Sequence, residues 1–171
     1  GTGLNFLVAW QLWRETRAQG SWLYFESIEG FPLDREQLKS IHQEWEELKV
    51  LSKMLLTTNN SSGELLPDWQ EWPEERITLR LHHAEVLPAL RVMQSNQVDA
   101  WCLDGFSPKK NPEMWTRDVL REVARITCPQ GTCATYTAAS HVRKSLEDSG
   151  FMMNKIKGFA QKREMLHGCK L

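Results

Sequence analysis

The sequence predicts an α/β fold of the doubly wound kind, a largely parallel sheet with helices on its faces, and three observations carry that prediction. Segments with helical spacing of apolar residues alternate along the whole chain with short runs of strand character. The chain opens on Gly1-Thr2-Gly3, a glycine turn feeding directly into a helical pattern. The main apolar strands close on short polar sets, Glu29-Gly30 and Asp104-Gly105. With 171 residues, 41% hydrophobic and 25% charged, the chain fits one globular domain of ordinary composition.

Element by element, Leu4, Phe6, Leu7, Val8, Trp10, Leu12 and Trp13 predict a helix running to about Ala18. After Gly20, the aromatic run Trp22 to Ile28 predicts a strand that ends at Glu29-Gly30-Phe31-Pro32. Asp34 and Gln37 have capping-box spacing for one helix carried by Leu38, Ile41, Trp45 and Leu48 to about Leu55. Residues 57–75 read as a long loop holding Trp69 and Trp72. Residues 76–82 alternate as a half-buried or edge strand, and a short helix follows at about 86–95. Val98 to Leu103 predicts a buried strand, and Pro112-Glu113 opens a helix over 114–126. Gly131 to Tyr136 predicts a strand and Ser140 to Ser149 a helix ended by Gly150. Residues 151–157 and 164–169 predict a closing antiparallel pair.

The formal net charge of −1 excludes a wholly basic nucleic-acid wrapper and an acidic disordered tail. The average hides a split: residues 1–98 hold 9 basic and 14 acidic side chains, whereas residues 99–171 hold 12 and 8, so a polyanion would dock on the carboxyl half. No apolar run approaches the ~20 residues that span a bilayer, and no signal-like core follows a basic segment, so a soluble cytoplasmic protein is expected. Cys102, Cys128, Cys133 and Cys169 show no metal or redox spacing and read as buried thiols. No metal site is expected. Most of the eight Trp residues read as core or docking surface.

In such sheets ligands bind beyond the carboxyl ends of the parallel strands, which singles out the residues just after each one. Gly1 and Gly3 would let backbone approach a ligand closely while the following helix offers free N–H groups. Glu29 is placed either as a carboxylate for a ribose diol or as a solvated loop charge. Glu85, after the 76–82 strand, is either an acceptor for an adenine amino group or an exposed helix-start carboxylate. Asp104 is the stronger signal, because it ends an apolar strand and is followed by Gly105-Phe106-Ser107-Pro108, an aromatic ring and a rigid turn at the ligand edge. His82 and His83 point to opposite faces of a strand and cannot share one metal.

These segments also carry a resemblance. Gly1 to Phe6, Glu29 to Leu33, Val98 to Trp101, the long idiosyncratic stretch from Leu103 to Trp115, and Lys162 to Leu166 resemble the methyltransferase domain of the MnmC-type tRNA-modifying enzymes over the whole chain. The resemblance implies a Rossmann-like class I methyltransferase fold, S-adenosylmethionine as cofactor, and tRNA as partner. It further implies methylation of the 5-aminomethyl group on a wobble uridine, often 2-thiolated, giving 5-methylaminomethyluridine. It makes Gly1 and Gly3 the loop near the methionine part of the cofactor, Glu29 the ribose carboxylate, Glu85 the adenine contact and Asp104 the active-site acid. Glu85 stands where the family tends to have Asp. Gln130 stands where a Pro-Gly-Gly turn is usual, and Ala160-Gln161 where a basic residue is common before Lys162.

On that reading Asp104 accepts the N–H bonds of the amine and orients its lone pair, Phe106 stacks on the uracil and Pro108 stiffens that wall. Lys109, Lys110, Arg143, Lys144, Lys162 and Arg163 form a modest phosphate-binding rim. Two other readings stay open: a methyltransferase acting on another amine or small molecule, and a non-catalytic Rossmann-like remnant that binds RNA or protein. Many family members continue into a flavin-dependent oxidase that makes the aminomethyl substrate; the chain has no second glycine-rich motif, so oxidase activity is not expected of it. Because the class I fold sets a strand before the glycine turn, between the 22–28 and 98–103 strands, an amino-terminally truncated domain is expected. Its first, central strand would be lacking, leaving a gap between those two strands or a compensating pairing of them.

Overall fold

The computed structural model describes residues 1–57, 65–158 and 162–171, which form two compact units, 1–85 and 86–171. In the first, helix α1 (Leu4–Thr16) starts from Gly3, whose φ of 73° is a left-handed conformation that glycine adopts without cost. Strand β1 (Leu23–Ile28) runs parallel to β3 (Ile77–His82), with Leu23 opposite Ile77 and Ile28 opposite His82. β2 (Trp69–Trp72) pairs antiparallel on the other side of β3. Phe6, Leu7 and Trp10 of α1 pack with Leu51 and Leu55 of α3 (Lys49–Thr57) and with Trp72, Ile77 and Leu79 on one face of this sheet. The aromatic rings interlock, with centroids 4.5 Å apart for Trp10 and Trp72 and 5.2 Å for Phe6 and Phe25.

Three expectations are corrected in this unit. The helix predicted from 35 to 55 is broken: α2 (Arg35–His42) opens on the predicted Asp34–Gln37 capping box but ends at His42, and a single 3-10 turn (Glu46–Leu48) leads into α3. The break lets Ser52 of α3 return to hydrogen-bond the buried His42 ring, a tertiary contact that outweighs a continuous apolar spacing. Part of the predicted loop is strand β2, because Gln70 and Trp72 turn inward while Trp69 and Glu71 face out; counting Gln70 as polar concealed the period of two. β3 is consequently central rather than an edge.

The second unit is a four-stranded sheet in the order β4-β5-β7-β6, from β4 (Val98–Cys102), β5 (Thr127–Thr135), β6 (Phe151–Lys157) and β7 (Glu164–Lys170). β4 and β5 are parallel, and β7 is antiparallel to both β5 and β6, as the closing pair predicted. Helices α4 (Val86–Val92) and α6 (Ser140–Asp148) flank α5 (Arg117–Ile126), whose Val119, Leu120, Val123 and Ile126 are buried together with Val142, Leu146, Phe151 and Leu166.

The helix predicted over 114–126 starts later: Pro112–Trp115 is a 3-10 turn, and α5 begins only at Arg117, where the Thr116 side chain accepts the Val119 N–H at 3.4 Å. β5 starts four residues earlier than predicted, through an irregularity in which Val98 faces Thr127 but Ala100 faces Thr132. Gln130 lies in it at φ 65°, a left-handed conformation in keeping with the glycine-rich turn the family resemblance leads one to expect there. β4 is half-exposed rather than buried, since it forms one edge of its sheet. Of the four thiols only Cys133 is buried, and burial pushes it up to about 11; Cys102, on the edge strand, is exposed. β1 and β4 each pair on one side only and not with each other among the described residues, so they belong to separate sheets.

Candidate active site

In the first unit the carboxyl ends of β1 and β3 are tied together by the Glu29 N–H donating to the His82 carbonyl at 2.9 Å. That bond sets Glu29 at the sheet edge, where its Oε1 accepts the Phe31 N–H at 3.2 Å. Gly1 lies against the same carboxylate: its nitrogen contacts Oε2, and a Cβ built on Gly1 would sit 3.2 Å from that oxygen. Gly3 turns the chain into α1, and no side chain caps the helix. Glu85 is exposed at the same edge, one residue beyond Ala84, whose carbonyl is 3.9 Å from a Cβ built on Gly30. Gly1, Gly3, Glu29 and Glu85 are thus gathered where β1 and β3 end. The paired histidines diverge as expected, His82 to Glu26 at 2.6 Å and His83 towards Asp68 at 3.8 Å.

In the second unit Asp104 follows β4, and the loop after it is folded on itself. The Asp104 carboxylate accepts the Gly105 N–H at 2.9 Å, the Ser107 carbonyl accepts the N–H groups of Lys110 and Asn111, and the Trp115 indole donates to the Phe106 carbonyl at 3.0 Å. Gly105 lies close on Met114, 3.0 Å from its Cε to a built Cβ, which leaves no room for a larger residue unless the methionine moves. Asp104 and Phe106 are exposed, the latter at 67%, and Pro108 is half-buried. A carboxylate and a bare aromatic face are therefore held out by a braced loop.

The basic residues follow the same edge. Lys109 and Lys110 ride on that loop, Arg143 and Lys144 occupy the first turn of α6, and Lys162 and Arg163 directly precede β7, whose Leu166 pairs with Thr135 at the end of β5. Arg143 is partly neutralised by Glu147 at 3.8 Å. Ala160-Gln161 lies outside the described residues. The sequence pattern predicts Tyr136 inside a strand; β5 ends at Thr135, so Tyr136 stands at the carboxyl edge with the Lys162 ammonium 5.6 Å from its ring centre. The signal that would have found it is the same strand-end rule that found Asp104. Among the described residues no cluster of His, Cys, Asp and Glu could hold a metal, and no helix is long and apolar enough to cross a membrane.

Comparison with known proteins bears on the family and the fold. The model of a family described as S-adenosyl-L-methionine-dependent methyltransferase matches residues 46–171. The chain is 41% identical over 170 residues to the tRNA 5-methylaminomethyl-2-thiouridine biosynthesis bifunctional protein MnmC of Ectopseudomonas mendocina, and 42% identical over 173 residues to that of Pseudomonas aeruginosa. Each match covers 98% of the chain and 25% of the relative, so the chain spans about a quarter of the length of these proteins. Among solved structures, MnmC2 from Aquifex aeolicus superposes with a TM-score of 0.68 at 25% identity, over 98% of this chain and 50% of that one. The chain belongs to the S-adenosyl-L-methionine-dependent methyltransferase family.

Proposed function

We propose that this chain carries the methyl-transfer step on tRNA, N-methylating the 5-aminomethyl group of a wobble uridine to 5-methylaminomethyluridine. The observation that carries the reading is the braced Asp104–Trp115 loop, which holds an exposed carboxylate and an exposed aromatic ring beside two lysines at the carboxyl edge of parallel strands. The names of the bifunctional relatives support the substrate.

The first unit fits the cofactor. A Cβ built on Gly1 would crowd the Glu29 carboxylate at 3.2 Å, Gly3 takes a turn that other residues resist, and no side chain caps the start of α1. Glu29 would hold the ribose hydroxyls, Glu85 the adenine amino group, and the Gly1–Gly3 turn the methionine end. S-adenosylmethionine supplies a methyl group already activated on a sulfonium, so the chain need not activate the donor. Its task is alignment and an amine with a free lone pair. Asp104 accepts the N–H bonds of the neutral amine, aims the lone pair, and takes the proton released as the new N–C bond forms, directly or through water. Phe106 and Tyr136 offer faces for the uracil, and the lysines and arginines of the rim meet the phosphates. The aminomethyl substrate points to a preceding oxidative step by a flavin-dependent oxidase domain or protein, and a tRNA substrate to the cytoplasm.

Incubation of the chain with methyl-labelled S-adenosylmethionine and tRNA bearing 5-aminomethyluridine, followed by nucleoside analysis, tests the proposal. Label in 5-methylaminomethyluridine is expected. Label that reaches only free amines, or no label from a cofactor that binds, would overturn it.

A further inference from the structure

The Gly1–Gly3 turn has no anchoring side chain of its own: Gly1 and Gly3 have none, and Thr2 is exposed. Its position comes from behind. His42, the last residue of α2, is 3% exposed, and its Nε2 lies 2.7 Å from the Thr2 carbonyl oxygen. A carbonyl only accepts, so Nε2 carries the hydrogen and donates it. In the neutral ring Nδ1 is then the acceptor, and the buried Ser52 hydroxyl, 2.7 Å away, donates to it. The ring also floors the turn, since a Cβ built on Gly3 would meet His42 Nε2 and Leu55 Cδ2 at 3.8 Å. A relay of Ser52, His42 and Thr2 thus links α3 to the backbone that faces Glu29.

We propose that His42 is a positioning residue for the cofactor turn: by holding the Thr2 carbonyl it fixes the backbone of Gly1–Gly3 relative to Glu29, and so sets affinity for S-adenosylmethionine without touching it. The inference rests on the assignment of that turn and Glu29 to the cofactor. A merely structural histidine would fill the same volume, and its loss would lower stability without a separate effect on binding.

The two roles separate by side-chain reach. His42→Asn keeps a polar atom near Ser52 but falls short of Thr2, whereas the amide nitrogen of His42→Gln reaches the Nε2 position and can donate to the carbonyl. Calorimetric titration of S-adenosylmethionine, with melting temperatures alongside, is expected to show about tenfold weaker binding for His42→Asn and recovery to within about threefold of the parent for His42→Gln. Equal affinity for His42→Asn and the parent, or losses in both variants that merely track their melting temperatures, would overturn the inference. Glu29→Ala distinguishes the underlying reading: parent-like affinity there removes the turn from the cofactor site and the inference with it, whereas weakened binding alongside an indifferent His42→Asn removes His42 alone. Nitrogen-15 spectra of the parent chain cover the case in which a variant does not fold. They should show the Nε2–H tautomer and a shift of the His42 ring signals on saturation with S-adenosylmethionine; an Nδ1–H tautomer or an unmoved ring would overturn the proposal.

Discussion

The role proposed for Asp104 depends on what its backbone fixes. Its N–H donates to the Cys102 carbonyl at 2.8 Å and its carboxylate accepts the next N–H, so the side chain stays at the strand end rather than sweeping through solvent. Replacing it by Asn keeps both the size and the hydrogen bond from Gly105 but removes the proton acceptor and the negative charge beside the amine. Turnover is expected to fall on the order of 10²–10⁴-fold with little change in cofactor affinity. Single-turnover rates beside a binding titration check this, and near-parental rates would strike Asp104 from the mechanism. At the same scale the sequence singled out Asp104 and Glu29, where a carboxylate and the strand-end rule coincide, and the structure sets both just past strand ends. It was silent on His42, whose two partners lie 40 and 10 residues away and leave no local pattern.

Elements in this molecule are pinned by side chains that reach across them. The Thr127 hydroxyl donates to the Val123 carbonyl at 2.6 Å and accepts the Trp101 indole N–H at 2.8 Å, joining α5, β5 and β4. That pinning leaves its methyl group nowhere to go, and a Cβ on Gly131 would come within 2.5 Å of it and 2.9 Å of the Cys128 carbonyl. Gly131→Ala is therefore expected to destabilise the second unit by ~1–3 kcal/mol, read by urea unfolding; an unchanged midpoint would mean that the irregularity in β5 yields freely. In the first unit Arg14 of α1 makes a bidentate pair with Glu75, Nε to Oε2 at 2.8 Å and Nη2 to Oε1, and this pair holds the Glu75 carboxyl below the usual carboxylate range. A lowered folded-state value contributes stability above the unfolded value near 4.5 and loses it as pH falls through the folded one. Glu75→Gln should cost about 1 kcal/mol at neutral pH, and its deficit against the parent should shrink below about pH 4.5. A deficit that stays constant through acid titration would deny the pair its role. Strongly periodic elements such as α1, α6 and the β6/β7 pair were legible in the sequence. The break after His42, strand β2 and the delayed start of α5 were not, because each is decided by a tertiary hydrogen bond, by a buried Gln70 or by a cap at Thr116 rather than by apolar spacing.

The whole chain divides its charge as it divides its contacts. Residues 1–85 carry 8 basic and 14 acidic side chains and residues 86–171 carry 13 and 8, so the excess of positive charge lies in the unit that bears Asp104 and the basic rim. The alternation of helices and strands made the α/β class legible, and the end-of-strand rule singled out the candidate residues of each unit. The division of the strands into two sheets was expected only as one of two outcomes, since the sequence does not say whether β1 and β4 would pair with each other. Among the described residues they do not, and each is an edge strand of five or six residues with one row of backbone N–H and C=O groups that no described strand pairs. Edge strands of this kind template pairing between molecules unless charge blunts them. Here the blunting is slight: Glu26 on β1 is engaged by His82, Asp99 is the one charge on β4, and Tyr24 and Ala100 are exposed. We therefore expect the chain to self-associate with rising concentration. Tyr24→Lys with Ala100→Lys, which place a cation on each edge without touching the buried face, should shift association to higher concentration and leave the melting temperature of dilute protein nearly unchanged. Light scattering over a concentration series reads the effect, and a parent chain that stays monomeric throughout, or a double variant that associates as readily as the parent, would show that these edges are not the contact surfaces.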